Sequence, residues 1–190
     1  MFVLKNKYYL IIESIKYINL KNIKKRNKFV IVYRNKENSV EKTQLLEFRK
    51  NCKSKSIKFY VANNLNLAVF LKSDGLYLSA YNTSFKPLTR KSFNFDIIGS
   101  AHTHKEIYVK IKQGCKTIIL SKLFKVDYNK ELPFLGLIKF NYYLRTNEKL
   151  VPLGGINLGN LNSLNKISSK GFALMSEVKK KPAKIYSRLF

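Results

Sequence analysis

The chain has 190 residues, is 45% hydrophobic and carries a formal net charge of +26. This length can bury one sizeable core, so we predict a single domain over residues 1–190. With only two cysteines, Cys52 and Cys115, the composition excludes a disulfide-rich scaffold, and their spacing fits no metal-binding pattern. Lys5 and Lys7 interrupt the first apolar residues, so we expect no signal peptide, no membrane span and a cytoplasmic protein.

Short apolar runs recur along the chain, separated by more polar segments. We predict strands at residues 8–12, 29–33, 58–61, 76–78, 95–99, 117–120, 151–153 and 171–175. Helical patterns lie between most of them: a poor one before Lys28, one with Ser39 as N-cap, one at residues 65–71, one opened by a Thr103–Glu106 capping box, one at residues 137–144 and one around residues 158–167. The alternation predicts an α/β fold, a compact (β/α)8 TIM barrel. Because such barrels typically have about 250 residues, its helices must be trimmed.

Residues 151–176 form the most informative stretch, since a strand, a helix and a second strand fit into it. The Gly154-Gly155 turn follows the first strand, and Met175 and Ser176 follow the second. Glycine lets the backbone approach a ligand closely, and N–H groups at strand ends can bind phosphate. In (β/α)8 barrels the last two such loops commonly do so. We therefore predict a phosphate site at Gly154, Gly155, Met175 and Ser176.

Several strand ends also resemble the thiamine-phosphate synthase/TenI family between about residues 30 and 176. The matching segments, in chain order, are residues 32–36 (VYRNK), 74–79 (DGLYLS), 98–102 (IGSAH), 135–137 (LGL), 154–156 (GGI) and 171–176 (GFALMS). Each match is weak alone, but their order and spacing are specific. The resemblance implies that a pyrimidine diphosphate is coupled to a thiazole phosphate, with Mg²⁺ and basic side chains holding the leaving diphosphate.

The resemblance assigns site residues and also exposes departures from the family pattern. Arg34 and Lys36 fall where diphosphate contacts are expected, and Ser100 keeps its place. The two metal-binding aspartates of the family fall on Asn63 and Asn82, so a Mg²⁺ site here is doubtful. Asp127, in the sixth loop, is a candidate replacement ligand. His102 lies where the TenI branch, which tautomerises thiazole phosphate, has an acid/base histidine.

Three versions of the function remain open: an active synthase with an eroded metal site, a TenI-like tautomerase and an inactive ligand-binding relic. The predicted partners are phosphorylated thiazole and pyrimidine ligands, and a homo-oligomer is compatible with them. Nucleic-acid binding is an alternative suggested by the charge. It is disfavoured because only six of the 37 basic residues are Arg and no binding motif is recognisable.

Overall fold

Eight short parallel strands form one sheet in the computed structural model, which describes residues 5–23, 26–34, 41–85, 96–127, 129 and 131–180. The strands are β1 (Lys7–Ile12), β2 (Phe29–Tyr33), β3 (Lys58–Ala62), β4 (Gly75–Leu78), β5 (Asp96–Ala101), β6 (Thr117–Ser121), β7 (Leu150–Leu153) and β8 (Gly171–Leu174). Their order is β7-β6-β5-β4-β3-β2-β1-β8, and every ladder is parallel. The predicted barrel is therefore confirmed.

A side chain bridges the remaining seam of the barrel, between β7 and β8. These two strands lie side by side, but among the described residues no backbone ladder joins them. The buried hydroxyl of Ser169 lies 2.9 Å from the carbonyl oxygen of Leu150 and 2.9 Å from that of Gly171. Since one hydroxyl has one proton, it donates to either carbonyl in turn and links the two strand starts.

The helices between the strands are short, as the chain length predicts. The α-helices are α1 (Lys42–Ser54), α2 (Leu65–Phe70), α3 (His104–Lys112), α4 (Gly136–Thr146) and α5 (Ser176–Lys180). Two helix predictions were wrong: the basic segment forms 3-10 turns at Ile15–Tyr17, Leu20–Asn22 and Arg26–Lys28, and the segment before β8 forms one at Leu161–Lys166. Ser39 lies outside the described residues, and α1 begins after Glu41 instead. None of the described helices is long and apolar enough to cross a membrane.

Alternating side chains of the strands fill two cores, one inside the barrel and one under the helices. Residues facing the barrel interior pack against one another: Tyr9, Ile11, Val30, Val32, Tyr60, Tyr77, Ile98, Ile119, Val151 and Ala173. Their strand neighbours, such as Leu76 and Leu78, join the larger core beneath the helices. This two-residue alternation is the one that a barrel requires. Cys52 and Cys115 are free and fully buried in the outer core.

The Asp74-Gly75 pair at the start of β4 has a structural role. One carboxylate oxygen of Asp74 accepts a hydrogen bond from Phe59 N–H at 2.7 Å, and the other pairs with the buried Arg49 at 3.0 Å. A Cβ on Gly75 would lie 2.1 Å from the carbonyl oxygen of Asp96, so this position admits only glycine. Both residues therefore fix β4 against its neighbours, at the edge opposite to the predicted site.

Candidate active site at the carboxyl edge of the barrel

The candidate site residues follow the carboxyl ends of different strands. Arg34 follows β2, Asn63 follows β3, Gly154 follows β7 and Met175 follows β8. Because all strands are parallel, these ends meet at one mouth of the barrel. Lys36, the second predicted diphosphate contact, lies outside the described residues.

The Gly154-Gly155 turn is held in a backbone conformation that requires glycine. Its φ angles are +96° and +67°, and a Cβ on Gly155 would lie 2.2 Å from the carbonyl oxygen of Lys125. The loop after β6 packs on this turn, where Phe124 N–H donates to the carbonyl oxygen of Gly154 at 3.0 Å. On the other side, the Asn160 amide donates to the carbonyl oxygen of Gly155 at 2.7 Å. The carbonyl groups of the turn are thus satisfied by the protein.

The backbone N–H groups of the two loops are the candidate donors at this edge. Within the described part of the chain, those of Gly154, Gly155, Met175 and Ser176 donate to no other group. The two pairs leave neighbouring strands, β7 and β8, and Ser176 opens helix α5. Side chains of Leu153 and Met175 pack on the barrel interior below them. Backbone N–H donors without an acceptor in the protein are the partners that an anionic phosphate group requires.

Tyr77 and Ser100 lie beneath this mouth, inside the barrel. Tyr77 is 1% exposed and Ser100 is 8% exposed, and the Ser100 side chain is close enough to influence the Tyr77 hydroxyl. Burial raises the pKa of Tyr77, while Ser100 and the nearby Arg34 guanidinium act in the opposite direction. The charge of Arg34 is thus close enough to Tyr77 to act on its hydroxyl, and the backbone N–H of Arg34 donates to the carbonyl oxygen of Ile12 at 2.8 Å. Sequence reasoning found Arg34 and Ser100 but missed Tyr77.

Asn63 and Asn82 are hydrogen-bonded to each other. The Asn82 amide Nδ2 donates to Asn63 Oδ1 at 3.0 Å, and Ser79 N–H donates to the same oxygen at 3.0 Å. Asn63 Nδ2 donates to Ser79 Oγ at 2.7 Å and to the Tyr81 hydroxyl at 3.1 Å. Since Ser79 N–H can only donate, it fixes which end of the Asn63 amide is the oxygen. Asn82 Oδ1 in turn accepts from Ser84 N–H at 3.0 Å.

A buried lysine supports the loop that carries Asn82. Lys110 of α3 is 0% exposed, and its Nζ donates to the carbonyl oxygens of Ser79 and Asn82 and to Gln113 Oε1. Gln113 Nε2 also donates to the carbonyl oxygens of Asn82 and Ser84. Burial lowers the pKa of Lys110, and the nearby carboxylate of Glu106 opposes this effect. The sequence does contain a sign that Lys110 is buried. Lys110 follows the apolar Ile107 by three residues, which places both side chains on the same face of the helix.

His102 belongs to a helix cap. Thr103 and Glu106 form the predicted capping box, which is confirmed. Glu106 Oε2 accepts from His102 N–H at 2.5 Å and lies 3.4 Å from His102 Nδ1. The imidazole is about half exposed, and the described contacts link it to Glu106 rather than to Tyr77, Ser100 or Arg34.

Comparison with known proteins identifies the family. A family model described as thiamine monophosphate synthase matches residues 13–178. The chain belongs to the thiamine monophosphate synthase family. This confirms the resemblance drawn from the strand ends.

Individual relatives give the same family and fold. A thiamine-phosphate synthase of Prochlorococcus marinus subsp. pastoris is 30% identical over 137 residues, which is 70% of this chain and 38% of the relative. One from Persephonella marina is 26% identical and covers 78% of this chain and 73% of the relative. The chain thus spans well under half of the Prochlorococcus relative. A solved thiamine phosphate pyrophosphorylase of Pyrococcus furiosus has a TM-score of 0.75 at 18% identity, with 97% of this chain and 93% of that chain covered.

The Mg²⁺ site that the resemblance implies does not fit the residues of this thiamine monophosphate synthase family member. Asn63 Oδ1 already accepts two hydrogen bonds, so both its lone pairs are used, and Asn82 Oδ1 accepts one. An amide N–H of Asn82 points at the oxygen that a cation would need. Within the described ranges no cluster of three His, Cys, Asp or Glu side chains could replace the lost acids. Asp127 is exposed and adds only one carboxylate.

Proposed function

We propose that this chain binds thiazole phosphate at the carboxyl edge of the barrel as a thiamine-phosphate synthase-like protein of thiamine biosynthesis. The observation that carries the proposal is that four backbone N–H groups at the ends of two neighbouring strands have no acceptor among the described residues. They belong to Gly154, Gly155, Met175 and Ser176. Family membership supports the choice of ligand, since the matching family model and the curated relatives are thiamine-phosphate synthases. The phosphate binds these N–H groups, and the thiazole ring lies toward Tyr77 and Ser100.

The second ligand is a pyrimidine diphosphate, placed by Arg34. In the coupling step the bond between the pyrimidine methylene carbon and the diphosphate oxygen breaks, and that carbon forms a bond to the thiazole nitrogen. The bonding electrons leave with the diphosphate, so no oxidant or proton donor is required. A guanidinium can bind two oxygens of the leaving group at once and so stabilises its growing charge. Lys36 follows Arg34 by two residues in the sequence. We propose it as the second cation that binds the leaving diphosphate.

The coupling reaction of this chain is proposed to be insensitive to Mg²⁺ and slower than that of a relative with two aspartates. The Asn63–Asn82 amide pair occupies the lone pairs that would bind the ion. Removing the charge stabilisation of one such group typically costs about 3 kcal/mol of transition-state stabilisation, a factor of 10² or more in rate. The position of His102, beside Glu106 on a helix cap, gives no support to the tautomerase alternative.

Calorimetric titration of thiazole phosphate tests the phosphate site. Ser176 is the first residue of α5, a position that tolerates proline. Ser176→Pro removes one backbone donor and is expected to weaken binding at least fivefold, whereas Ser176→Ala keeps the donor and stays within twofold of wild type. Equal affinities of the two variants would contradict the proposed role of the N–H groups.

A turnover assay with pyrimidine diphosphate then tests the coupling step. We expect EDTA and added Mg²⁺ to give the same rate in the wild-type protein. An N63D/N82D double variant supplies the matched control, since it restores two carboxylates and is expected to gain Mg²⁺ dependence. Stimulation of the wild-type protein by Mg²⁺ would show that the amide pair opens to bind the ion, which contradicts the proposal.

A further inference from the structure

The opposite mouth of the barrel carries a ring of lysines. Six of the eight strands have a lysine as their first residue or immediately before it: Lys7, Lys28, Lys58, Lys116, Lys149 and Lys170. Because parallel strands all start at one edge, these ammonium groups surround the amino-terminal mouth. Converging charges of one sign around a concave surface concentrate the electrostatic potential and attract counter-ions.

A cavity of about 550 Å³ opens at this mouth. Lys7, Lys116, Lys149 and Lys170 line it, against one acid, Glu148. The hydroxyls of Tyr9 and Thr117 lie 3.5 Å apart in its wall, and Tyr9 is 7% exposed at the end of the inner core. The volume falls within the range of small-ligand sites, roughly 300–1,000 Å³. Cationic side chains with hydroxyl donors between them are a common setting for phosphate oxygens.

The acids at this mouth leave part of the positive charge uncompensated. Asp96 pairs with Lys58 at 3.1 Å and Lys116 at 2.5 Å, and Glu148 pairs with Lys170 at 3.2 Å. Among the ion pairs of the described residues, none involves Lys7 or Lys149. Lys7 donates to the carbonyl oxygen of Asn27 at 2.7 Å. Burial and the nearby charge of Lys58 lower the pKa of Lys7, in agreement with a local excess of positive charge.

We propose that the amino-terminal mouth of the barrel binds a small polyanion of the di- or triphosphate class, separately from the carboxyl-edge site. A compact polyphosphate fits the cavity and can reach Lys7 and Lys149 together. An extended nucleic-acid backbone fits less well, because the partly buried carboxylate of Asp96 and the exposed carboxylate of Glu148 lie at the rim. The proposal does not depend on the function of the opposite edge, since the two mouths are at opposite ends of the strands.

Titration of inorganic tripolyphosphate into the full chain saturated with thiazole phosphate tests this proposal. A K7A/K149A variant is expected to lose at least tenfold in affinity at fixed ionic strength. A K50A/K139A variant removes the same charge from exposed positions on α1 and α4 and is expected to stay within twofold of wild type. Chemical-shift changes are expected at the amides of Tyr9, Thr117 and Gly171.

Three outcomes would overturn the proposal. Equal losses in both lysine pairs would show that only net charge matters. Loss of binding in Arg34→Ala but not in K7A/K149A would place the anion at the carboxyl edge. The third outcome is that a single-stranded RNA binds and tripolyphosphate does not. If K149A weakened that RNA binding, the mouth would be a nucleic-acid surface.

If K7A/K149A does not fold, K149E keeps the test available, because Lys149 is exposed and in no ion pair among the described residues. Failure of thiazole phosphate to bind would contradict the proposed function alone.

Discussion

The Nζ atom of Lys110 lies 2.6 Å from the carbonyl oxygen of Asn82, inside the protein. The same ammonium group donates to the carbonyl oxygen of Ser79 at 2.8 Å and to Gln113 Oε1 at 2.9 Å. All three of its protons are therefore used, and a fully buried positive charge is balanced by oxygen dipoles. Through this contact helix α3 sets the position of the loop that follows β4 and carries Asn82.

Replacing Lys110 by Met is expected to lower the free energy of unfolding by about 2–4 kcal/mol. The variant keeps much of the side-chain volume but leaves buried carbonyl groups without a donor. Urea denaturation followed by circular dichroism measures the change. Lys105→Met, on the exposed face of the same helix, serves as control and should stay within about 0.5 kcal/mol of wild type. An equal effect in both variants would contradict the structural role of Lys110.

The two asparagines of the amide pair should respond differently to substitution by aspartate. In Asn63→Asp both carboxylate oxygens still find donors, since the Ser79 and Tyr81 hydroxyls can reverse their hydrogen bonds. In Asn82→Asp an oxygen replaces Nδ2 and faces Asn63 Oδ1 at about hydrogen-bond distance, so two acceptors repel each other. We expect a loss of about 1–3 kcal/mol for Asn82→Asp and less than about 1 kcal/mol for Asn63→Asp. Thermal or urea unfolding in EDTA measures both, and the reverse ranking would show that the amide orientations are different.

The strands were predictable because most of them are short apolar runs between more polar segments. The two failed helix predictions have a physical cause that the apolar spacing does not reveal. Around residues 157–160, Asn157 and Asn160 side chains accept hydrogen bonds from nearby N–H groups and so compete with helix formation. In the basic segment, Ser14 and Asn19 cap single 3-10 turns in the same manner.

The site was predictable only as far as single strand ends could be matched to a family pattern. The positions of Gly154, Gly155 and Ser176 follow from the turns that end β7 and β8. The pairing of Asn63 with Asn82 requires the loop after β4 to fold back over β3, and residues 19 apart in the chain give no sign of this. Lys110 and Tyr77 were missed because lysine is rarely buried and a strand tyrosine is usually a core residue.

Ser169 should stabilise the seam of the barrel. Ser169 is 4% exposed, and its hydroxyl lies within hydrogen-bond distance of the Leu150 and Gly171 carbonyl oxygens. Ser169→Ala removes this link, and we expect a loss of about 1 kcal/mol in unfolding free energy. Amide exchange should become faster in β7 and β8 than in β3, where the backbone ladders are unchanged. Uniform acceleration across all strands would mean that the seam has no local weakness.

Stability should fall at alkaline pH because two thiols are buried. Burial raises the pKa of Cys115 to about 11 and that of Cys52 to about 12, from an ordinary value of 9.0. Above pH 9 the unfolded chain loses thiol protons that the folded protein keeps, so ionisation favours unfolding. The stabilisation is complete below pH 9 and is lost as the pH rises toward 11–12. Each thiol is expected to cost roughly 1 kcal/mol of stability per pH unit in this window.

Urea unfolding at pH 8 and pH 10 measures this loss. Buried tyrosines and lysines also titrate in this range, so the comparison needs a variant without the thiols. A C52A/C115A protein is less stable at both pH values, because alanine leaves space in the core. Its loss of stability between pH 8 and pH 10 is nevertheless expected to be about 2–3 kcal/mol smaller than that of the wild type. Equal losses in the two proteins would mean that the thiols ionise in the folded state at their ordinary pKa.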